Sequence, residues 1–264
     1  MIEHEHEQQR RLVFAKFSKY AYLNQDEASA LAKLEGFNKT EFIDIEGAQA
    51  YVFYNKTDLI ISCRGTQKDE GAMNDIIADL QVFQADSVTG NKIHQGFKEE
   101  VDKIYARVFE IVSSRGELKK IWACGHSLGG AMATILAQRL EFSGGYDVVA
   151  LYTYGSPRAG GPVFRAWCEK HLNHQRFVNN NDVVPCVPTF FRWRHSGKCH
   201  YIKSTGEVTN LGRWSSERIR DKGWSLLKTI FKGRFDLVSD HNIDDYIMHL
   251  ENSRDFITQR ELDT

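Results

Sequence analysis

Apolar positions first recur at helical spacing over residues 8–34, where Leu12, Phe14, Ala15 and Tyr22 fall near a 3.6-residue period. Asn24-Gln25-Asp26 interrupts that stretch with residues suited to capping a second helix. The period then shortens. Three strand-like runs at 41–45, 49–55 and 59–64 are separated by Gly47 and by Lys56-Thr57-Asp58, which predicts an antiparallel meander. The third run ends in Cys63-Arg64-Gly65-Thr66-Gln67, and irregular polar sequence follows. After Gly90, Lys92-Ile93-His94-Gln95-Gly96-Phe97 opens a helix predicted to reach about residue 114, with Val101, Ile104, Val108 and Ile111 on its buried stripe.

From 121 onward, strand and helix patterns alternate. Strands are expected at 121–124, 148–154 and 175–179, and helices at 131–140 and 163–172. Such alternation implies crossover units and a mostly parallel central sheet with helices on both faces. No repeat, low-complexity stretch or linker breaks the chain, so one α/β domain over residues 1–264 is the expectation.

The first of these strands runs into Gly125-His126-Ser127-Leu128-Gly129, followed by Gly130 and a helix-like stretch. G-x-S-x-G in a strand–turn–helix setting demands a sharp elbow that exposes the serine hydroxyl, with no room for side chains two positions either side. Ser127 is therefore the candidate nucleophile, at a helix start whose free N–H groups favour developing negative charge. A serine hydroxyl needs a base, and the base needs an orienting acid; around such elbows the partners follow in the order acid, then histidine. Arg176-Phe177-Val178-Asn179-Asn180-Asn181-Asp182 places Asp182 just past a strand, as the acid requires. Later histidines are His195, His200, His241 and His249. His241, in the loop before the apolar stripe Ile243, Tyr246, Ile247 and Leu250, is the first choice of base and His195 the second. For the oxyanion hole, the Leu128 N–H and the Arg64-Gly65-Thr66 turn are the candidates, with Thr66 offering its N–H and hydroxyl.

Composition narrows the class. Charged residues make up 26% and hydrophobic ones 42% of 264, ordinary for a globular protein, and the net charge of −1 does not suggest a nucleic-acid binder. Five cysteines (Cys63, Cys124, Cys168, Cys186, Cys199) are odd in number and lack paired metal-ligand spacing. Mostly buried reduced thiols are expected, and with them a reducing compartment. The N-terminal Met1-Ile2-Glu3-His4-Glu5-His6-Glu7 has no apolar core of a secretory signal, and no stretch is apolar enough to span a membrane. A cytoplasmic protein is the expectation, with export by a signal-less route left open. His4 and His6 are read as part of a solvated tail rather than a metal site.

These pieces together resemble the class 3 lipases, the fungal-lipase-like branch of the α/β-hydrolases. The resemblance rests on Arg64-Gly65-Thr66 with Asp79-Leu80, His94-Gln95-Gly96-Phe97, the Gly125–Ala131 elbow, Tyr154-Gly155-Ser156-Pro157-Arg158, Val178–Pro185 and Asp240-His241 with Tyr246. It implies an α/β-hydrolase fold and carboxylic-ester hydrolysis by Ser127, Asp182 and His241, with Thr66 and Leu128 as oxyanion hole. No metal or organic cofactor is implied, and the segment 67–77 would be a lid. The substrate reading is an acylglycerol or similar medium-to-long-chain ester. A phospholipase A1 or feruloyl-type esterase is the alternative, and a non-catalytic lipid- or protein-binding member the reading from another class. One stretch stands apart. Residues 192–234 hold eleven Lys or Arg against three acids (Glu207, Glu217, Asp221), interleaved with Trp214, Ile219, Trp224 and Phe231. It reads either as a helical insertion packed on the core or as a peripheral contact with an anionic lipid surface.

Overall fold

The structure, a computed structural model, describes residues 2, 5–65, 83–115, 119–180, 182–188, 192–203, 205–210 and 241–262. The first two helices are α1 (Glu7–Tyr20) and α2 (Gln25–Leu34), and the Asn24 side chain caps α2 by accepting the Glu27 N–H at 3.0 Å. The expected meander follows as β1 (Lys39–Ile45), β2 (Ala48–Tyr54) and β3 (Asp58–Cys63), paired antiparallel. Its first turn carries positive φ at both Glu46 and Gly47, the geometry that matches strand twist in a two-residue hairpin.

Two boundaries differ from the pattern reading. Lys92 to His94 form a short strand, β5 (Lys92–His94), against β4 (Gln84–Asp86), and α3 (Gln95–Arg115) starts only after it. Ile93 is held there by Ala85 and by a bridge to Gly160, contacts distant in sequence that a local period does not reveal. The helix after the elbow, α4 (Leu128–Phe142), starts three residues earlier than its apolar run, because Gly129 and Gly130 are helical under close packing.

The remaining elements are β6 (Lys120–His126), β7 (Val148–Tyr154), α5 (Pro162–His171), β8 (His174–Asn179), β9 (Lys198–Ile202), β10 (Val208–Asn210) and α6 (Ile243–Leu262). One eight-stranded sheet has the order β1-β2-β3-β6-β7-β8-β9-β10, parallel from β3 through β9 and antiparallel at both edges. Side chains alternate across it, as a two-residue period requires. On β6, Ile121 and Ala123 join a core with Val101, Ile104, Ile135 and Leu136 of α3 and α4. Trp122 and Cys124 face the opposite core with Phe14 and Phe17 of α1 and Tyr246 of α6. Phe14 stacks on Tyr152 at 4.3 Å and lies 5.3 Å from Trp122. Helices thus cover both faces of a mostly parallel sheet, which is the α/β-hydrolase architecture expected from the sequence. Open sheets of this kind gather their ligands at the carboxyl ends of the parallel strands.

Candidate active site

Ser127 stands at such an end, between β6 and α4, with no loop residues to spare. Its backbone has φ 58° and ψ −134°. That region costs a non-glycine residue about 1–3 kcal/mol and persists only where its surroundings impose it. They do so here. The Ser127 N–H donates to Tyr154 O at 2.9 Å, and Gly130 N–H donates to the Ser127 carbonyl at 2.9 Å. The glycines follow from space. A Cβ on Gly125 would strike the Gly129 carbonyl, one on Gly129 the Cys63 carbonyl, and one on Gly130 would sit 2.7 Å from Ser156 Cβ. Gly65 closes the same packing, since its Cβ would collide with the Tyr22 hydroxyl and lie 3.3 Å from Ser127 Cβ. The turn leading to Thr66 therefore rests against the elbow. Thr66 itself and the 67–77 segment lie outside the described residues. Leu128 is the first residue of α4, so its N–H is one of the helix's free donors.

Asp182 and His241 come together. Asp182 Oδ2 lies 2.9 Å from His241 Nδ1 and accepts the Tyr246 hydroxyl at 2.5 Å, while Oδ1 accepts the Val184 N–H at 2.9 Å. A carboxylate only accepts, so the proton of this bond is on His241 Nδ1 and Nε2 is left as the ring's acceptor. His241 Nε2 and Ser127 Oγ, both buried, have no hydrogen-bond partner among the described residues. Burial and the Asp182 charge push the Tyr246 phenol well above its usual range, which keeps its hydroxyl a donor; it also accepts Asn179 N–H at 3.0 Å. Gly155, at φ 57°, leaves room for the pair: a Cβ there would stand 2.6 Å from Asp182 Oδ2 and 2.9 Å from His241 Nδ1.

Two of the other candidate histidines are engaged elsewhere. His195 Nε2 donates to the Pro185 carbonyl at 2.7 Å. His200 bonds Gln175 at 2.6 Å and stacks on Phe177, and burial brings its pKa down to about 4. His195 is therefore not placed as the base. Among the described residues no three His, Cys, Asp or Glu side chains are grouped to hold a metal. Of the basic 192–234 stretch, residues 204 and 211–234 lie outside the described residues.

The pattern reading assigned no role to Tyr246 or Arg158. Tyr246 was visible as a tyrosine in an apolar stripe, a ring with a polar end that seeks a partner when buried. The Arg158 guanidinium donates to the carbonyls of Cys186 and Pro188, and its N–H to Val187 O at 2.9 Å, tying the chain beyond Asp182 to the end of β7.

Comparison with known proteins matches the family model described as "Lipase (class 3)" over residues 60–192, half of the chain. The chain belongs to the class 3 lipase family. Among relatives, this class 3 lipase-family chain is 37% identical over 126 residues to toxin TseL of Vibrio cholerae, covering 46% of this chain and 19% of the toxin. It is 31% identical over 166 residues to the secreted mono- and diacylglycerol lipase 1 of Fusarium solani, covering 59% and 48%. The aligned stretch is less than half the length of either relative. Among solved structures, lipase II from Rhizopus niveus superposes with a TM-score of 0.64 at 23% identity, over 89% of this chain and 92% of that one, which shows the fold.

These relatives correct the expectation of a cytoplasmic protein, since one so similar is a secreted lipase. Buried thiols do not by themselves require a reducing compartment. Cys63, Cys124, Cys168 and Cys199 are free and buried, and burial pushes the Cys63 thiol up, so these thiols are shielded from oxidants in any compartment.

Proposed function

We propose that this class 3 lipase-family protein hydrolyses carboxylic esters of lipids, acylglycerols first, with Ser127 as nucleophile, His241 as base and Asp182 as its orienting acid. The observation that carries the reading is the buried Asp182–His241 pair and the strained Ser127, whose chain neighbour His126 has its ring 4.5 Å from that of His241; His241 Nε2 and Ser127 Oγ both have no partner among the described residues. His241 Nε2 takes the Ser127 proton as Oγ attacks the ester carbonyl; the resulting oxyanion is held by the Leu128 N–H and by Thr66. His241 then gives the proton to the leaving alcohol, and water deprotonated by the same nitrogen releases the acid from the acyl-enzyme. Asp182, held by Tyr246 and Val184, orients the imidazole and stabilises the charge it gains. No step calls on a metal or organic cofactor.

Acylglycerols are favoured because a relative that aligns over 59% of this chain is by name a mono- and diacylglycerol lipase. Contact of the 192–234 segment with an anionic lipid surface belongs to the same proposal, supported by its eleven cations against three acids. Equal co-sedimentation with neutral and anionic vesicles would remove that part. The whole reading is tested by titrating acid released from emulsified mono-, di- and triacylglycerols and from phosphatidylcholine vesicles. Release from the acylglycerols that exceeds release from the phospholipid is expected. Hydrolysis of the phospholipid alone would move the substrate, and none of either would end the reading.

A further inference from the structure

His126, the residue between Gly125 and the candidate nucleophile, is fully committed although its side chain takes no part in the steps above. Its Nε2 lies 2.6 Å from the His241 carbonyl oxygen and its Nδ1 lies 3.0 Å from the Tyr22 hydroxyl. A carbonyl can only accept, so Nε2 carries the ring's proton and Nδ1 accepts from Tyr22. The Tyr22 oxygen in turn receives the Gly65 N–H. One chain of hydrogen bonds thus runs from the turn at the end of β3, through the α1–α2 connection and the last residue of β6, to the backbone of the base. Each station is packed tightly. Gly65 has no Cβ because the Tyr22 hydroxyl occupies that space, the Arg64 guanidinium lies over the Tyr22 ring at 5.9 Å, and the His126 and His241 rings are 4.5 Å apart.

We propose that Tyr22 and His126 are positioning residues for the base: His126, its ring held at Nδ1 by the Tyr22 hydroxyl, grips the backbone carbonyl of His241 and sets where that imidazole stands relative to Ser127. The proposal rests on the triad reading above. It explains why a ring with two nitrogens suits this position, because one nitrogen must accept from Tyr22 while the other donates to His241. Neutrality is also required, since a charged ring 4.5 Å from His241 would oppose protonation of the base during turnover. Burial supplies it, holding His126 well below the usual histidine range.

The test pairs a spectroscopic and a kinetic readout. In 15N-histidine NMR, His126 is expected as the neutral Nε2–H tautomer at every pH where the protein is active, and Tyr22→Phe is expected to keep that tautomer but shift the Nδ1 resonance, which has lost its donor. Turnover is counted per site by the endpoint of fluorophosphonate labelling, which removes any loss due to unfolded protein. Per labelled site, Tyr22→Phe and His126→Leu are expected to lower kcat about tenfold or more with KM unchanged, as slight misplacement of a catalytic group does. His126→Gln, which restores a donor near the Nε2 position, is expected to return kcat to within about threefold of wild type. An Nδ1–H tautomer, or unchanged kcat per site in Tyr22→Phe, overturns the proposal; should His126→Leu fail to fold, Tyr22→Phe carries the test alone. Ser127→Ala and His241→Ala run alongside separate the two readings. If these retain turnover, the triad reading fails; if they lose it while Tyr22→Phe does not, only the positioning role fails.

Discussion

Asp182 engages both carboxylate oxygens, one on Val184 N–H and one shared between His241 Nδ1 and the Tyr246 hydroxyl. Asp182→Asn preserves the shape but offers His241 an amide in place of a charge, so the imidazole can be held in the wrong tautomer. A kcat loss on the order of 10³–10⁴ is expected for p-nitrophenyl butyrate, with the circular-dichroism spectrum unchanged. Tyr246→Phe removes a charge-assisted donor from Asp182 and the acceptor of Asn179 N–H. Urea unfolding is expected to show a loss of about 1–3 kcal/mol, the usual scale for unpairing buried partners of a charged group. Ser127 and Asp182 could be proposed from the sequence because each sits at a strand end in a recognisable local pattern. The role of Tyr246 could not, because its partner is 64 residues away and only the tertiary fold, with α6 packed on α1, brings the two together. Spacing alone left His195 in contention beside His241; in the structure His241 bonds Asp182 and His195 bonds the Pro185 carbonyl, which favours His241 as the candidate.

At the scale of elements, the elbow is a contact between backbones. Gly129 lies where β3 ends, its absent Cβ filled by the Cys63 carbonyl with the Arg64 carbonyl carbon at 2.8 Å. Gly129→Ala therefore pushes β3 away from the head of α4, and neither neighbour is a side chain that can swing aside. A loss of stability of about 1–3 kcal/mol is expected from such overpacking, together with loss of esterase activity. Gly47→Ala makes the contrasting case. Its φ is +81° with nothing within 4 Å of the new Cβ, so it carries backbone strain of about 1 kcal/mol and leaves activity intact. Chemical unfolding and turnover measured on both variants separate the two causes. The sequence pattern located the helices and six of the ten strands of the described residues, where apolar periods are long and regular. It misplaced the start of α3 because three residues are too few for a period, and β5 exists only through its partners Ala85 and Gly160.

For the molecule as a whole, three buried histidines tie stability to pH. His126 is held well below its usual range, His174 is brought down to about 3 and His200 to about 4, burial being the first cause in each. In the unfolded chain each returns to 6.5. The folded state then binds fewer protons than the unfolded one below that value, so stability is complete above about pH 7 and falls as pH drops through 6.5 toward 4. The urea midpoint is expected to be clearly lower at pH 5 than at pH 8, and His200→Gln, which keeps a partner for Gln175, is expected to reduce that slope. A midpoint independent of pH would mean that these rings take up protons without unfolding. The two-faced sheet was legible from the alternation of strands and helices, and its antiparallel edge at β1–β3 from the short turns. The antiparallel pairing of β9 and β10 was not, because Lys198 to Asn210 carries neither a clear two-residue alternation nor a tight-turn dipeptide.

The proposed reaction begins with a serine deprotonated by His241, and steady-state hydrolysis of p-nitrophenyl esters from acetate to palmitate by wild type, Ser127→Ala and His241→Ala tests it most directly. Loss of kcat by three or more orders of magnitude in both variants, at every chain length the wild type accepts, is the expected result. Activity undiminished in His241→Ala would contradict it.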